Sequence, residues 1–345
     1  MLLEALGGEE GCRRLSAVLY ARVGKDPVLR PFFPGKSLRC ATEEFAAFLI
    51  QFLGGDESQT QFRWWLSLRE SHARFQIGPK ARRAWLKHME ATLEATPLDE
   101  GTRNALRDFF SHSSAYVIGR DAGEPDHKEL AGRWSEQRVL DRVIAKIVAG
   151  RDDETLALAP RFVSRASVFA GLLARMVQSG RARLIRFVID ATENDPSLAT
   201  RRFAGATLLH FAAGTGCLQV VALLLRLGVD PNIQDRGNHT PLYCVANECA
   251  SETGPDVVRA LSASRRGRQR VWRRNAGNSA SHGSPAGTRR DRTRVARFRC
   301  GSESAGPKRR HAFAARNQLP QEWSLAIAAG AGATLAGSLS ITGDE

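Results

Sequence analysis

Apolar residues in the first third of the chain return at helical spacing: Leu15, Val18, Leu19 and Val23, then Phe45, Phe48, Leu49 and Phe52, then Leu106, Phe109, Phe110 and Val117. Stripes of this period, with almost no strict alternation, predict several amphipathic helices packed as an all-α bundle over residues 1–122. Asp26-Pro27, Phe33-Pro34-Gly35 and Gly54-Gly55 stand between the stripes, where each can end a helix and turn the chain. Asp121 to Asp126 reads DAGEPD, polar and turn-forming, and predicts a linker over 123–142. Helical periodicity then continues in shorter units as far as residue 261.

Those shorter units repeat. GATLLHFAAGTGCLQVVALLLRLGVDPNIQDRG is followed by HTPLYCVAN, which sets Thr207 and Thr240 33 residues apart. The period and the words resemble ankyrin repeats, which implies an α-solenoid over 143–261, clearest at 204–261. Each threonine is placed to cap the first helix of its unit, and Pro241 suits the first helical turn, where a missing N–H costs nothing. Gly214 and Gly216 fit the inter-helix turn, Val220 to Leu225 the second helix, and Gly228 to Asn232 the loop that follows. Phe169 to Asp190 has the same helix–turn–helix rhythm with fewer diagnostic residues.

Charge alters the picture only at the far end. The chain's net +14 sits wholly in residues 262–319, where 15 arginines and Lys308 face only Asp291 and Glu303. With no sustained period, that segment is expected to be disordered, and its charge raises nucleic-acid binding as one alternative function. Its aromatic residues are sparse (Trp272, Phe298, Phe313), so base stacking has little support and no nucleic-acid partner is expected. Residues beyond Trp323 are uncharged as far as Gly343, but Gly, Ala, Ser and Thr dominate, which gives poor insertion energy and no expected membrane span. A second explanation of 262–345 is frameshifted ankyrin sequence. GPKRRHAFAARNQL can be encoded so that reading one nucleotide later yields DRNGDTPLRRAIN, and Arg274 to Gly287 can conceal an ATPHLMAARRG word 33 codons earlier. Sequencing the gene across codons 250 to 345 tests it: a plus-one frame without a run of ankyrin words rules it out. The six cysteines form no CxxC pair, so neither a zinc site nor a disulfide framework is expected, and a reducing, cytoplasmic setting fits.

Three ordered words carry a further resemblance: LGGEEGCRRLSAVLYARVGKDPVLRPFFPG, FLIQFLGG and LRESHARFQIGPKARRAWLKHM. Together, residues 5–119 resemble a group II truncated haemoglobin. This implies a two-over-two helical sandwich that binds haem b through iron. His72, in ESHARFQIG, stands at the proximal-ligand position, and a neutral imidazole is the axial donor globins usually use. Tyr20 and Trp85 match the distal hydrogen-bond donors of the group, and Phe33 the aromatic near the haem edge. An ungapped count back from Leu53-Gly54-Gly55 puts Ala41 and Phe45 on the distal helix, a small residue at the gate and an apolar one where some members carry Gln. Arg74 and Arg82 are candidate propionate partners, though solvated arginines are the commoner reading. His88 and His112 match no ligand position. Between Gly55 and His72 the chain departs from the family pattern, with Trp64 and Trp65 in place of the usual Tyr and Gly.

The expected function is a haem globin that binds dioxygen, and other diatomics such as NO and CO, joined to an ankyrin module that contacts a protein and serves gas or redox sensing. A haem enzyme turning over NO or peroxide is the alternative; with no flavin or nicotinamide domain in the sequence it would need an external reductase.

Overall fold

The computed structural model describes residues 1–33, 35, 37–56, 66–120 and 123–264. The Arg-rich stretch and the small-residue tail, with their expected disorder and the shifted-frame explanation, fall on 265–345 and lie outside the described residues, as do Trp64 and Trp65.

Six helices build the N-terminal part: α1 (Leu2–Ala5), α2 (Gly8–Val23), α3 (Arg39–Phe52), α4 (Leu68–Ala73), α5 (Pro79–Glu94) and α6 (Glu100–Val117). Helix α2 buries Cys12, Leu15, Ser16, Leu19 and Val23, one face at 3–4 residue spacing. Val18, expected in that stripe, instead lies on the outer face, 37% exposed. Local chemistry sets the helix ends. Pro79 opens α5, and the Asp99 carboxylate accepts the Thr102 amide at 2.9 Å to cap α6. Helix α2 packs on α3, α5 on α6, and α2 on α5, which gives the expected two-over-two sandwich. Leu15, Leu19, Leu49, Ile50, Met89, Leu93, Leu106, Phe109 and Phe110 close its core.

The next helix, α7 (Lys128–Val148), corrects the expectation of a linker over 123–142. Its 21 residues extend about 31 Å at 1.5 Å per residue. Leu130 and Trp134 are fully buried in the core of the sandwich, while Val139, Leu140, Val143, Ile144 and Ile147 belong to a second core. Arg133 lays its guanidinium against Gly54, where a Cβ would come within 2.7 Å of it; Gly54 also needs its positive φ of 88° to end α3.

The second core is a stack of helix pairs: α7 with α8 (Asp152–Leu158), α9 (Ala166–Gln178) with α10 (Ala182–Asn194), and α11 (Leu208–Thr215) with α12 (Leu218–Arg226). Helix α13 (Pro241–Glu248) begins the next unit, and the chain is helical again from residue 254. Helices α7, α9, α11 and α13 pack in sequence as one row. A two-residue hairpin, β1 (Arg202–Phe203) with β2 (Ala206–Thr207), is the only strand pair among the described residues.

Thr207 and Thr240 occupy the N-cap positions of α11 and α13 with nearly equal backbone angles, and the Thr240 side chain accepts the Tyr243 amide at 3.3 Å. At α11 the cap is enlarged by His210. Its Nδ1 accepts the Thr207 amide at 3.1 Å and lies 2.9 Å from the Thr207 hydroxyl, while its Nε2 donates to the His239 carbonyl at 3.2 Å. One imidazole therefore ties a repeat to its successor. Among the described residues no helix is long and apolar enough to cross a membrane.

Candidate functional site

The sequence-derived site residues come from four helices of the sandwich and one turn. Tyr20 lies in the last turn of α2, Ala41 and Phe45 one turn apart on α3, His72 on α4, Trp85 on α5, and Phe33 just past a short 3-10 turn, Arg30–Phe32. Four of them meet. The Tyr20 ring is 5.8 Å edge-on from Phe33 and 6.1 Å from Phe45; Phe45 is 6.4 Å edge-on from Trp85; and Phe110 closes the group at 5.7 Å from Trp85. These edge-to-face contacts fix the rings while leaving the polar tips of Tyr20 and Trp85 available. Neither the Tyr20 hydroxyl nor the Trp85 indole N–H bonds to another described residue. Burial raises the Tyr20 phenol's pKa, and the nearby Glu44 carboxylate adds to the shift, so the phenol keeps its proton and remains a donor.

His72 is half-buried and sits outside that aromatic cluster. Its Nδ1 lies 2.8 Å from the Leu68 carbonyl one turn earlier, a bond in which the imidazole must donate, and 2.9 Å from the Ser71 hydroxyl. The proton on Nδ1 leaves Nε2 as the acceptor nitrogen. Burial pushes the His72 pKa down, opposed by the Leu68 carbonyl and reinforced by Arg74, which favours the neutral imidazole.

The remaining candidates have structural partners. Arg82 donates to the Ser114 hydroxyl at 3.1 Å and the Ser111 carbonyl at 3.0 Å, tying α5 to α6, and Arg74 lies over the Phe75 ring at 4.6 Å. His88 bonds Asp26 at 2.7 Å; this bond, and the Leu29 amide after it, holds the Asp26 carboxyl below its usual range. His112 stays within its own helix, with Nδ1 3.0 Å from the Asp108 carbonyl.

Helix α4 is held by residues that spacing did not single out. Ser67 caps the Glu70 amide at 3.0 Å. The buried Asp141 carboxylate of α7 accepts the Leu68 amide at 2.9 Å and the Arg69 amide at 3.2 Å. Gln137 donates to the Leu66 carbonyl at 2.9 Å and to Asp141 at 2.8 Å. Glu70 pairs with Arg175 of α9, both side chains largely buried. The Ser67-Leu-Arg-Glu70 word is a capping-box signature and could have located the start of α4; nothing local points to Asp141 or Arg175.

The residues fit a haem by the chemistry of the donor set: a neutral imidazole with one acceptor nitrogen, and two N–H or O–H donors set in an aromatic wall.

Comparison with known proteins follows the same division of the chain. The bacterial-like globin family matches residues 1–117, and ankyrin repeats match residues 191–242. The group 2 truncated hemoglobin YjbI of Bacillus subtilis (strain 168) is 28% identical over 117 residues, 34% of this chain and 88% of that protein. Among solved structures, a hemoglobin of the thermophilic phototrophic bacterium Chloroflexus aurantiacus is 38% identical, covering 35% of this chain and 98% of the other, with a TM-score of 0.33. A thermostable hemoglobin of the actinobacterium Thermobifida fusca is 33% identical, covering 34% and 96%, with the same TM-score of 0.33.

Proposed function

We infer, from the premise that this chain belongs to the bacterial-like globins through residues 1–117 and carries ankyrin repeats at 191–242, that its N-terminal lobe holds haem b and binds dioxygen while its repeats hold a protein partner. The observation that carries the reading is the His72 geometry: Nδ1 committed to the Leu68 carbonyl and Nε2 left as a nitrogen lone pair. A bound haem would supply the iron that takes a diatomic ligand. His72 would hold it through Nε2, Phe33 would pack against it, and Ala41 and Phe45 are the small and apolar positions that would shape the way in. The Tyr20 hydroxyl and Trp85 N–H would donate hydrogen bonds to a polar diatomic ligand such as dioxygen. The repeats bring that chemistry to a partner, which suits gas or redox sensing.

Absorption spectra of the purified protein in ferric, ferrous and carbonyl states test the haem directly; a preparation that takes up no haem under any of these conditions ends the reading. Steady-state turnover of NO or peroxide with a supplied reductant separates an enzyme, served by an external reductase, from a binder.

The two donors make a quantitative expectation. A hydrogen bond to a charged group contributes about 1.5–3 kcal/mol, so Tyr20→Phe and Trp85→Phe should each speed oxygen release by roughly ten- to hundredfold. Carbon monoxide, less polar when bound, should respond less. Stopped-flow oxygen off-rates unchanged in both variants would reject the donor assignment. The two effects need not add, since the rings share Phe45 as a neighbour.

A further inference from the structure

We propose that Asp141 and Arg175, which lie beyond the stretch matched to the globin family, are positioning residues for His72. The proposal rests on the assignment of His72 as the haem ligand and extends it to the part of the chain that holds that ligand in place.

Helix α4 has only six residues, too short to be stable alone, so its position is set by what grips it. Its first three amides are all satisfied from outside the helix: Leu68 and Arg69 by the Asp141 carboxylate, Glu70 by the Ser67 hydroxyl. A buried carboxylate at a helix N-terminus also meets the positive end of the helix dipole. Leu68 then links the two ends of the device. Its N–H is held by Asp141 and its C=O accepts the Nδ1 proton of His72, so a shift in the carboxylate moves the carbonyl that orients the ring. Control of ligand geometry through the second ring nitrogen is a general property of metal-bound histidine.

Arg175 acts on the same turn from another helix. Its guanidinium pairs with Glu70, two residues before His72, and both side chains are largely buried. Leu66, just ahead of α4, is packed in the core of the solenoid, close enough to Gly171 of α9 that a Cβ there would approach it to 3.1 Å. The segment carrying His72 is therefore fastened to α7 and α9 at three consecutive points, Leu66, Leu68–Arg69 and Glu70. The sandwich contributes its own contact through Arg69, whose guanidinium lies 4.0 Å over the Tyr116 ring.

The test uses the full chain and two variants, the isosteric Asp141→Asn and the shorter, uncharged Arg175→Gln. An amide oxygen can cap only one of the two amides that the carboxylate caps, and a neutral amide cannot pair with Glu70. In the haem-free protein, hydrogen exchange across residues 68–73 should accelerate about tenfold or more in Asp141→Asn, since hydrogen bonds to a charged acceptor are lost, with exchange in α2 and α5 unchanged. In the haem-loaded protein, both variants should retain haem yet shift the ferrous iron–histidine stretching band in resonance Raman spectra. Parent-like exchange in α4 with an unmoved band in both variants overturns the proposal. If the parent binds no haem, the haem assignment fails by itself, and the exchange measurement alone decides whether Asp141 holds α4.

Discussion

His72→Gly is expected to purify with little or no haem and to recover a haem spectrum when imidazole is added. The glycine removes the only nitrogen assigned to the axial position while opening a space of about the imidazole's size. Losing merely an outer partner of a ligating histidine already costs roughly 10–100-fold in affinity, and losing the ligand itself should exceed that. His112→Gln provides the control, since His112 bonds within its own helix and stands at no ligand position. Haem content is read from the ratio of Soret to protein absorbance. Parent-like content and band positions in His72→Gly would move the assignment to another residue.

Trp134→Ala is expected to lower stability by about 3–5 kcal/mol, the usual cost of deleting a large buried aromatic side chain. Trp134 is fully buried, 5.8 Å from Phe109 and 5.2 Å from Tyr116, and it lies beyond the 117 residues that match the globin family. Against a typical total of about 5–15 kcal/mol, the loss should be plain in a urea or thermal melt. Trp134→Phe should cost less than the alanine, because the indole N–H has no hydrogen-bond partner in its buried site and its removal leaves nothing unsatisfied. A fragment ending at residue 122 should be weaker still, since Leu130 leaves along with Trp134. Midpoints for Trp134→Ala and the fragment that match the full chain would show that α7 is dispensable to the sandwich.

What the sequence discloses depends on whether a feature is local. Tyr20, Phe33 and Trp85 were legible because each sits in a family-like word, and Phe45 because it can be counted back along a helix of clear period from Leu53-Gly54-Gly55; the structure brings the four rings together. The repeats were legible because Thr207 and Thr240 recur in register at helix starts. Helix α7 was not. Its apolar residues serve two cores on different faces, so no single stripe runs its length, and the polar DAGEPD stretch before it suggests a linker. Asp141 has the composition of a surface charge; only the fold reveals that it is buried beneath amides 72 and 73 residues earlier in the chain. Val18 shows the opposite limit, since helical spacing allows a stripe wider than the face that is covered.

Stacked repeats ordinarily need a specialised terminal unit, because the outermost one would otherwise leave an apolar face in water. Here α7 meets that need: the side of the stack that would call for a polar lid is occupied by a helix whose other half is anchored under Phe109 and Tyr116. The array is thereby polarised. A duplicated repeat placed between α7 and α9 would carry Arg175 away from Glu70 and separate Leu66 from the solenoid core, whereas one added after α13 would leave these contacts untouched. Repeats can therefore change in number on the α13 side without disturbing the segment that carries His72.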